Sequence, residues 1–339
     1  MSALLKLASV GFLLISSLGC GEPGRLQVEI QIPLIEQDAT SRAWRNVTLD
    51  SLHYLPVDDS MMLYNPGSVL KGPGNNVYVG DYGDMSVKAF DSLGRHTTTY
   101  GLGMGWAPGE VMQMANLGTI GDSVVFIYDS MNRRLTYFEP DGSLLAMEEP
   151  EKHFKRMVVT NSGRKYWLIP SDYRYREFFV TSSNVDTLMF GRLLDENLHV
   201  RNKYLIPGDL SAYGEDVLFV PDLYPALIRY NSNGEVKYAR RTIGAIGFEP
   251  PEEMVEQNGM RWPGPPLNYS MFVNDDQVVV LVRDNKDPRM KMIADYYDAE
   301  NGNYNESVKL PDGFFKLLTD ERAYEIRDTV VVVHRLLYR

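Results

Sequence analysis

Short apolar runs of four or five residues, separated by clusters of Gly, Asp, Asn and Pro, recur along most of the chain. Val77-Tyr78-Val79 and Val87 to Phe90 form one pair, Val124 to Tyr128 and Arg134 to Phe138 another, each joined by a turn rich in Asp or Asn. Runs of that length bounded by turn residues predict β-strands joined as hairpins. An earlier stretch, Leu26, Val28, Ile30 and Ile32, alternates apolar with polar residues, the mark of a half-buried strand. Useful lengths of 3.6-residue periodicity are lacking, which argues against helical layers, and the predicted fold is all-β.

The hairpins carry a repeated signature, Asp-x-x-(Asn/Asp)-x-x-apolar. It occurs at Asp81, Asp84, Val87, at Asp129, Asn132, Leu135 and at Asp284, Asp287, Met290; a fourth copy, Asp222 to Ile228, has Pro225 in the middle. Corresponding strands centre on Tyr78, Phe126, Trp167, Phe219, Val280 and Val331. Their spacing of roughly 40–60 residues is near the blade period of a propeller. The expected architecture is a six-bladed β-propeller with four-stranded antiparallel blades, spanning residues 26–339 as one domain. The N-terminal strand Leu26 to Ile32 is the candidate for closing the ring. Two packed sandwiches are the alternative, but they do not require a turn motif at blade spacing.

At 339 residues the chain exceeds what most single cores need, and stacked repeats absorb that length without a second domain. Charged residues make up 23% and apolar residues 44%, a globular composition. The first residues differ in kind. Lys6 precedes an apolar run from Leu7 to Leu18, followed by Gly19 and Cys20. A run this short reads as a signal peptide over residues 1–19 before it reads as a membrane span. Its end resembles the lipobox of bacterial lipoproteins, in which the cysteine is acylated; this implies lipidation at Cys20, a tether over residues 20–25 and a cell-envelope location, facing periplasm or exterior. A plain signal peptide with an incidental cysteine is the other reading.

Loss of Lys6 with that segment moves the net charge from −11 to −12, which argues against nonspecific nucleic-acid binding. Cys20 is the only cysteine, so no disulfide framework is expected.

The unit Val77-Tyr78-Val79-Gly80-Asp81 through Phe90-Asp91-Ser92-Leu93-Gly94, followed by Gly101-x-Gly103-x-Gly105-Trp106-Ala107-Pro108-Gly109-Glu110, resembles the NHL-repeat propellers and related six-bladed propeller lipoproteins of bacteria. The resemblance implies a ring on the outer face of a membrane. It does not imply one activity, because that family holds binding scaffolds as well as distant enzymatic relatives.

Asp81, Asp129, Asp222 and Asp284 are expected to cap turns by accepting backbone N–H bonds. The sharper reading gathers them at one channel mouth around a cation, calcium being the ion suited to oxygen ligands. Gly101, Gly103 and Gly105 lack the strand-before, helix-after setting of a nucleotide site and read as a tight crossover. Trp106 beside them is either packing or rim. Two further segments suit ligand recognition: Arg261 and Trp262 ahead of a proline-rich turn, and the basic-aromatic patch Tyr173, Arg174, Tyr175, Arg176. The five histidines are scattered, and neither a Gly-x-Ser-x-Gly elbow nor a His-Glu-x-x-His motif is present. No catalytic set can be assembled. The expected function is binding of a protein, peptide or glycan at one channel mouth. The alternative is a metal-assisted hydrolase or lyase in the channel, using turn carboxylates with His53 or His96.

Overall fold

A computed structural model describes residues 25–27, 32–57, 61–121, 123–150, 154, 156–169, 179–182, 187–191, 193, 208–222, 224–245, 252–256, 259–260, 268–283 and 291–339. They form an all-β propeller of mostly antiparallel sheets, of which the first four are meanders of consecutive strands. Sheet I comprises Pro66–Lys71, Val77–Asp81, Ser86–Phe90 and His96–Tyr100. Sheet II comprises Met114–Ile120, Val124–Asp129, Arg134–Phe138 and Leu144–Glu148. Sheet III is shorter: Arg156–Val159, Lys165–Leu168, Phe179–Ser182 and Thr187–Phe190. Sheet IV takes Gly208–Tyr213, Asp216–Pro221, Ala226–Tyr230 and Val236–Arg241.

Sheet V departs from the four-strand expectation. To Asn268–Asn274, Gln277–Arg283, Met292–Asp298 and Tyr304–Lys309 it adds Trp44–Arg45, paired in parallel on the outer edge. The reason lies in the preceding arm. Arg42 grips buried Asp295 with two bonds of 2.9 Å, and the Ala43 carbonyl accepts the Ser307 N–H at 2.8 Å. These contacts lay the chain along the sheet.

Sheet VI corrects the expected closure. Its strands are Phe314–Leu318, Arg322–Arg327, Val330–Tyr338 and, from the other end of the chain, Val47–Leu55. The closing strand is thus not Leu26 to Ile32. Arg25–Gln27 pairs instead with Glu252–Glu256, in a separate three-stranded sheet with Gly259–Met260. Val47–Leu55 escapes a periodicity search because an outermost strand packs on one side only: it is largely exposed or half-buried, with Leu55 alone fully covered. Register then decides in its favour, since it runs antiparallel along Val331 to Tyr338 with one bulge.

Middle strands bury both faces because each sheet stacks on two neighbours. Val77–Asp81, Ser86–Phe90 and Ala226–Tyr230 are buried throughout, so their apolar runs are continuous instead of alternating. The core is divided among the interfaces between successive sheets. Tyr78 and Val87 of sheet I meet Leu117 and Ile127 of sheet II, and so on around the ring. Leu317, Tyr324 and Val331 of sheet VI meet Val69, Val77 and Phe90 of sheet I, which completes the circle.

Candidate functional site

The first strand of each sheet is the innermost, and these strands adjoin one another around a central channel. They enclose a cavity of about 590 Å³, a volume typical of small-molecule sites. In a four-stranded meander the first strand starts, the second ends and the third starts at the same end of the ring. Crossovers between sheets and the repeated Asp turns therefore gather at that end.

Four charged side chains line the cavity: Lys71, at the end of the first strand of sheet I, and a group of three. Arg156 opens the first strand of sheet III, Asp209 is the second residue of sheet IV, and Lys316 is the third residue of sheet VI. Arg156 Nε lies 3.7 Å from Asp209 Oδ1. Asp209 is fixed from behind: its Oδ2 accepts the Met271 N–H at 2.9 Å and the Ser270 hydroxyl at 3.3 Å, and Oδ1 accepts the Leu210 N–H at 3.1 Å. Lys316 forms no hydrogen bond or ion pair with any described residue; its ammonium lies 4.3 Å from the Phe314 ring centroid. Burial pushes its pKa below the usual lysine range, Arg156 adds to that by repulsion, and Asp209 offsets only part. Polar walls complete the lining. Ser68 bonds the Tyr82 hydroxyl at 2.9 Å, and Asn116 Oδ1 accepts the Met157 N–H at 3.1 Å.

The repeated carboxylates sit in the turns. Asp81 is fully buried and accepts the N–H groups of Tyr64, Asn65 and Gly83 at 2.9, 2.8 and 3.0 Å and the Lys88 ammonium at 2.5 Å. Burial alone would raise its pKa; the Lys88 bond and the three N–H donors together hold it below the ordinary value. Asp129 repeats the arrangement with the N–H groups of Met112, Gln113, Met131 and Asn132 and the Asn132 amide. In both sheets the carboxylate ties the end of the second strand to the crossover entering the first. The Asp222 carbonyl accepts the Asn268 N–H at 3.0 Å, and Asp284 lies outside the described residues. Among the described residues, no three His, Cys, Asp or Glu side chains come together as a metal cluster would. A calcium site needs six to eight oxygens, and those of Asp81 and Asp129 are already engaged in separate sheets.

His53 and His96 stand on outermost strands, away from the channel lining. His96 Nε2 bonds the Thr99 hydroxyl at 2.9 Å, and burial, then the charge of Arg322, lower the His53 pKa against the pull of Asp91.

The glycine crossover from sheet I to sheet II presents Trp106 to solvent at 65% exposure, with Leu102, Met104 and, from the next turn, Met131 also exposed. It is nonetheless an ordered loop. Gly101 and Gly103 have φ of 94° and 93°, Val111 N–H donates to the Gly103 carbonyl, and Arg134 donates to the carbonyls of Trp106, Ala107 and Glu110. At Gly105 any Cβ would meet the Glu110 carboxylate at 2.0 Å. Tyr173, Arg174, Tyr175, Arg176, Arg261, Trp262 and Cys20 lie outside the described residues.

Sequence reasoning missed Arg156, Asp209 and Lys316. The usable signal was positional: each stands on the strand immediately before the easily read second strand of its unit, where a propeller turns side chains to its axis.

No protein-family model matches the sequence, and no curated protein matches it. Solved structures do resemble the fold. A Bacteroides fragilis protein provisionally named as exported superposes with a TM-score of 0.61 at 11% identity, covering 89% of this chain and 99% of that one. A member of the DUF4221 family from Bacteroides vulgatus gives 0.63 at 10%, covering 87% and 99%. Virginiamycin B lyase from Staphylococcus aureus, solved as an inactive variant with quinupristin, gives 0.50 at 9%, covering 86% and 100%. At these identities the likeness establishes a β-propeller and nothing finer.

Proposed function

We propose that the chain is an exported propeller, anchored to a bacterial membrane through acylated Cys20, that binds a protein, peptide or glycan at one mouth of its channel. The ring is read as six-bladed, counting sheet V with its added strand as one blade. A single observation carries the binding reading: a polar, charged cavity runs along the innermost strands, and Leu102, Met104, Trp106 and Met131 stand exposed on a braced crossover at one end of the ring. Exposed large apolar side chains gathered beside a concave site are the usual features of a recognition surface. The strand ends flanking the segments that hold Tyr173 to Arg176 and Arg261-Trp262, namely Leu168, Phe179 and Asn268, lie at that same end. We assign those aromatic and arginine side chains to the rim.

Export is supported by the Leu7 to Leu18 run and by the naming of a structural neighbour as exported. The metal-assisted alternative has weaker support, because the one carboxylate among the described residues lining the channel, Asp209, faces Arg156 and takes three donors of its own. The test is a glycan and peptide array probed with the wild-type chain and with Trp106→Ala, alongside membrane fractionation of Cys20→Ala. A ligand lost in the tryptophan variant, and release of the cysteine variant from membranes, are the expected results. An array without hits, or hits indifferent to Trp106, would sink the binding assignment, and a Cys20→Ala chain still fractionating with membranes would sink the anchor.

A further inference from the structure

We infer that the channel mouth is an oxyanion site, in which Arg156 and Lys316 together receive a carboxylate or phosphate group of a small ligand. The inference deepens the binding reading above and rests on its placement of the ligand at this end of the ring.

Its foundation is a charge imbalance built into rigid strands. Lys71, Arg156 and Lys316 line the cavity against one carboxylate, Asp209; Lys71 ends its strand, far from the start of the strands that carry Arg156 and Asp209, whereas Arg156, Lys316 and Asp209 are near enough to feel one another's charge. Asp209 cannot balance both Arg156 and Lys316, since its oxygens already hold the Met271 and Leu210 N–H groups and the Ser270 hydroxyl. Its contact with Arg156 is a long one, at 3.7 Å through Nε, and among the described residues the terminal guanidinium nitrogens have no acceptor. Lys316 has the Phe314 ring beneath it and no acceptor among the described residues. A partly desolvated ammonium without a counter-charge is costly to keep. A bound oxyanion supplies what both groups lack: a fork for the guanidinium and a point contact for the ammonium.

The three residues come from sheets III, IV and VI, so the site exists only because the ring closes. Each stands on a strand held by ladder bonds on its outer side, which fixes the spacing of the charges before a ligand arrives. The surrounding walls offer the hydroxyls of Ser68, Ser211 and Ser270 and the amide of Asn116. A ligand with hydroxyl groups beside its anionic group suits this lining.

The test is calorimetric titration of the full-length chain in detergent with three probes: inorganic phosphate, D-glucuronate and neutral D-glucose. Binding of phosphate alone indicates a phosphoryl ligand, and binding of glucuronate a carboxylate. Arg156→Gln and Lys316→Met should each weaken the anion that binds by about tenfold, the size of one charge-assisted contact. Asp209→Asn should tighten it several-fold, because it removes the only opposing charge while keeping an acceptor for Met271. This opposite sign guards against variants that merely fail to fold, as does an unfolding temperature for Lys316→Met no lower than wild type. The inference is overturned if neither anion binds at millimolar concentration, if glucose binds as well as they do, or if the charge variants leave affinity unchanged. Such a failure, with rim-dependent array hits intact, would remove the oxyanion site and leave the binding reading standing.

Discussion

Lys88 donates to Asp81 across 2.5 Å inside sheet I, with 3% and 0% of the two side chains exposed. Together with three backbone N–H groups this pair fastens the second strand to the crossover from sheet VI. Removing one member of a buried pair leaves the other charge unpaired, so Asp81→Ala should cost about 3–5 kcal/mol. Asp84, which also holds Lys88 at 2.6 Å, places the loss toward the lower figure. Urea unfolding checks it; a loss under about 1 kcal/mol, the size of a surface pair, would show that the turn does not depend on this carboxylate.

The same residue sets a direction for acid sensitivity. Asp81 is held below its ordinary 3.8 because the donors outweigh burial. A depressed carboxylate binds fewer protons folded than unfolded, so its contribution is full above about pH 4 and lost as pH falls through the folded value. Asp81→Asn should be less stable at neutral pH but lose less on acidification. Parallel pH profiles of the two proteins would refute the assignment.

Arg42 and Asp295 hold the N-terminal arm. Asp295 is fully buried, with Ser307 as its other side-chain partner. Arg42→Ala should lower stability by about 3 kcal/mol, the lower bound for stranding a buried charge. It should also expose the arm to proteases near Ala43. Unchanged cleavage would mean that the parallel strand holds without its arginine.

Gly208 begins the innermost strand of sheet IV, where an added Cβ would lie 2.4 Å from the Phe219 ring and 2.5 Å from the Val220 carbonyl. The ring is fully buried and the carbonyl belongs to the neighbouring strand, so neither yields cheaply. Gly208→Ala should destabilise by about 1–3 kcal/mol, as overpacking does. It should also disturb the adjoining Asp209. Thermal unfolding and the anion titration read the two effects separately.

The second and third strands of the repeats were legible because burial on both faces writes them as unbroken apolar runs, Val278 to Val282 being the plainest. The innermost strands of sheets III and IV were not, although Phe315 to Leu318 of sheet VI was. Gly208–Tyr213 reads Gly-Asp-Leu-Ser-Ala-Tyr, and Arg156–Val159 opens on a charge, because one face of each must meet the channel. Arg156 and Asp209 of the candidate site therefore weaken the strand signal around them. Closure was misplaced for a related reason: Leu26 to Ile32 alternates cleanly, whereas Val47–Leu55, at the rim of sheet VI, shows no clean pattern and is identified only by its partner. The turn aspartates were readable as acceptors, but not their specific partners, such as the Tyr64 and Asn65 amides that sequence spacing separates from Asp81 by more than a full strand.

The seam of sheet VI imposes an order in time. Ser51 and His334 touch at 3.1 Å yet stand 283 positions apart, so the first of these segments to leave a ribosome or translocon must wait for nearly everything else before it finds its place. Contacts of such long sequence separation make for slow folding. Until then the ring is an open arc whose two end sheets offer unsatisfied edges to any chaperone or aggregating neighbour.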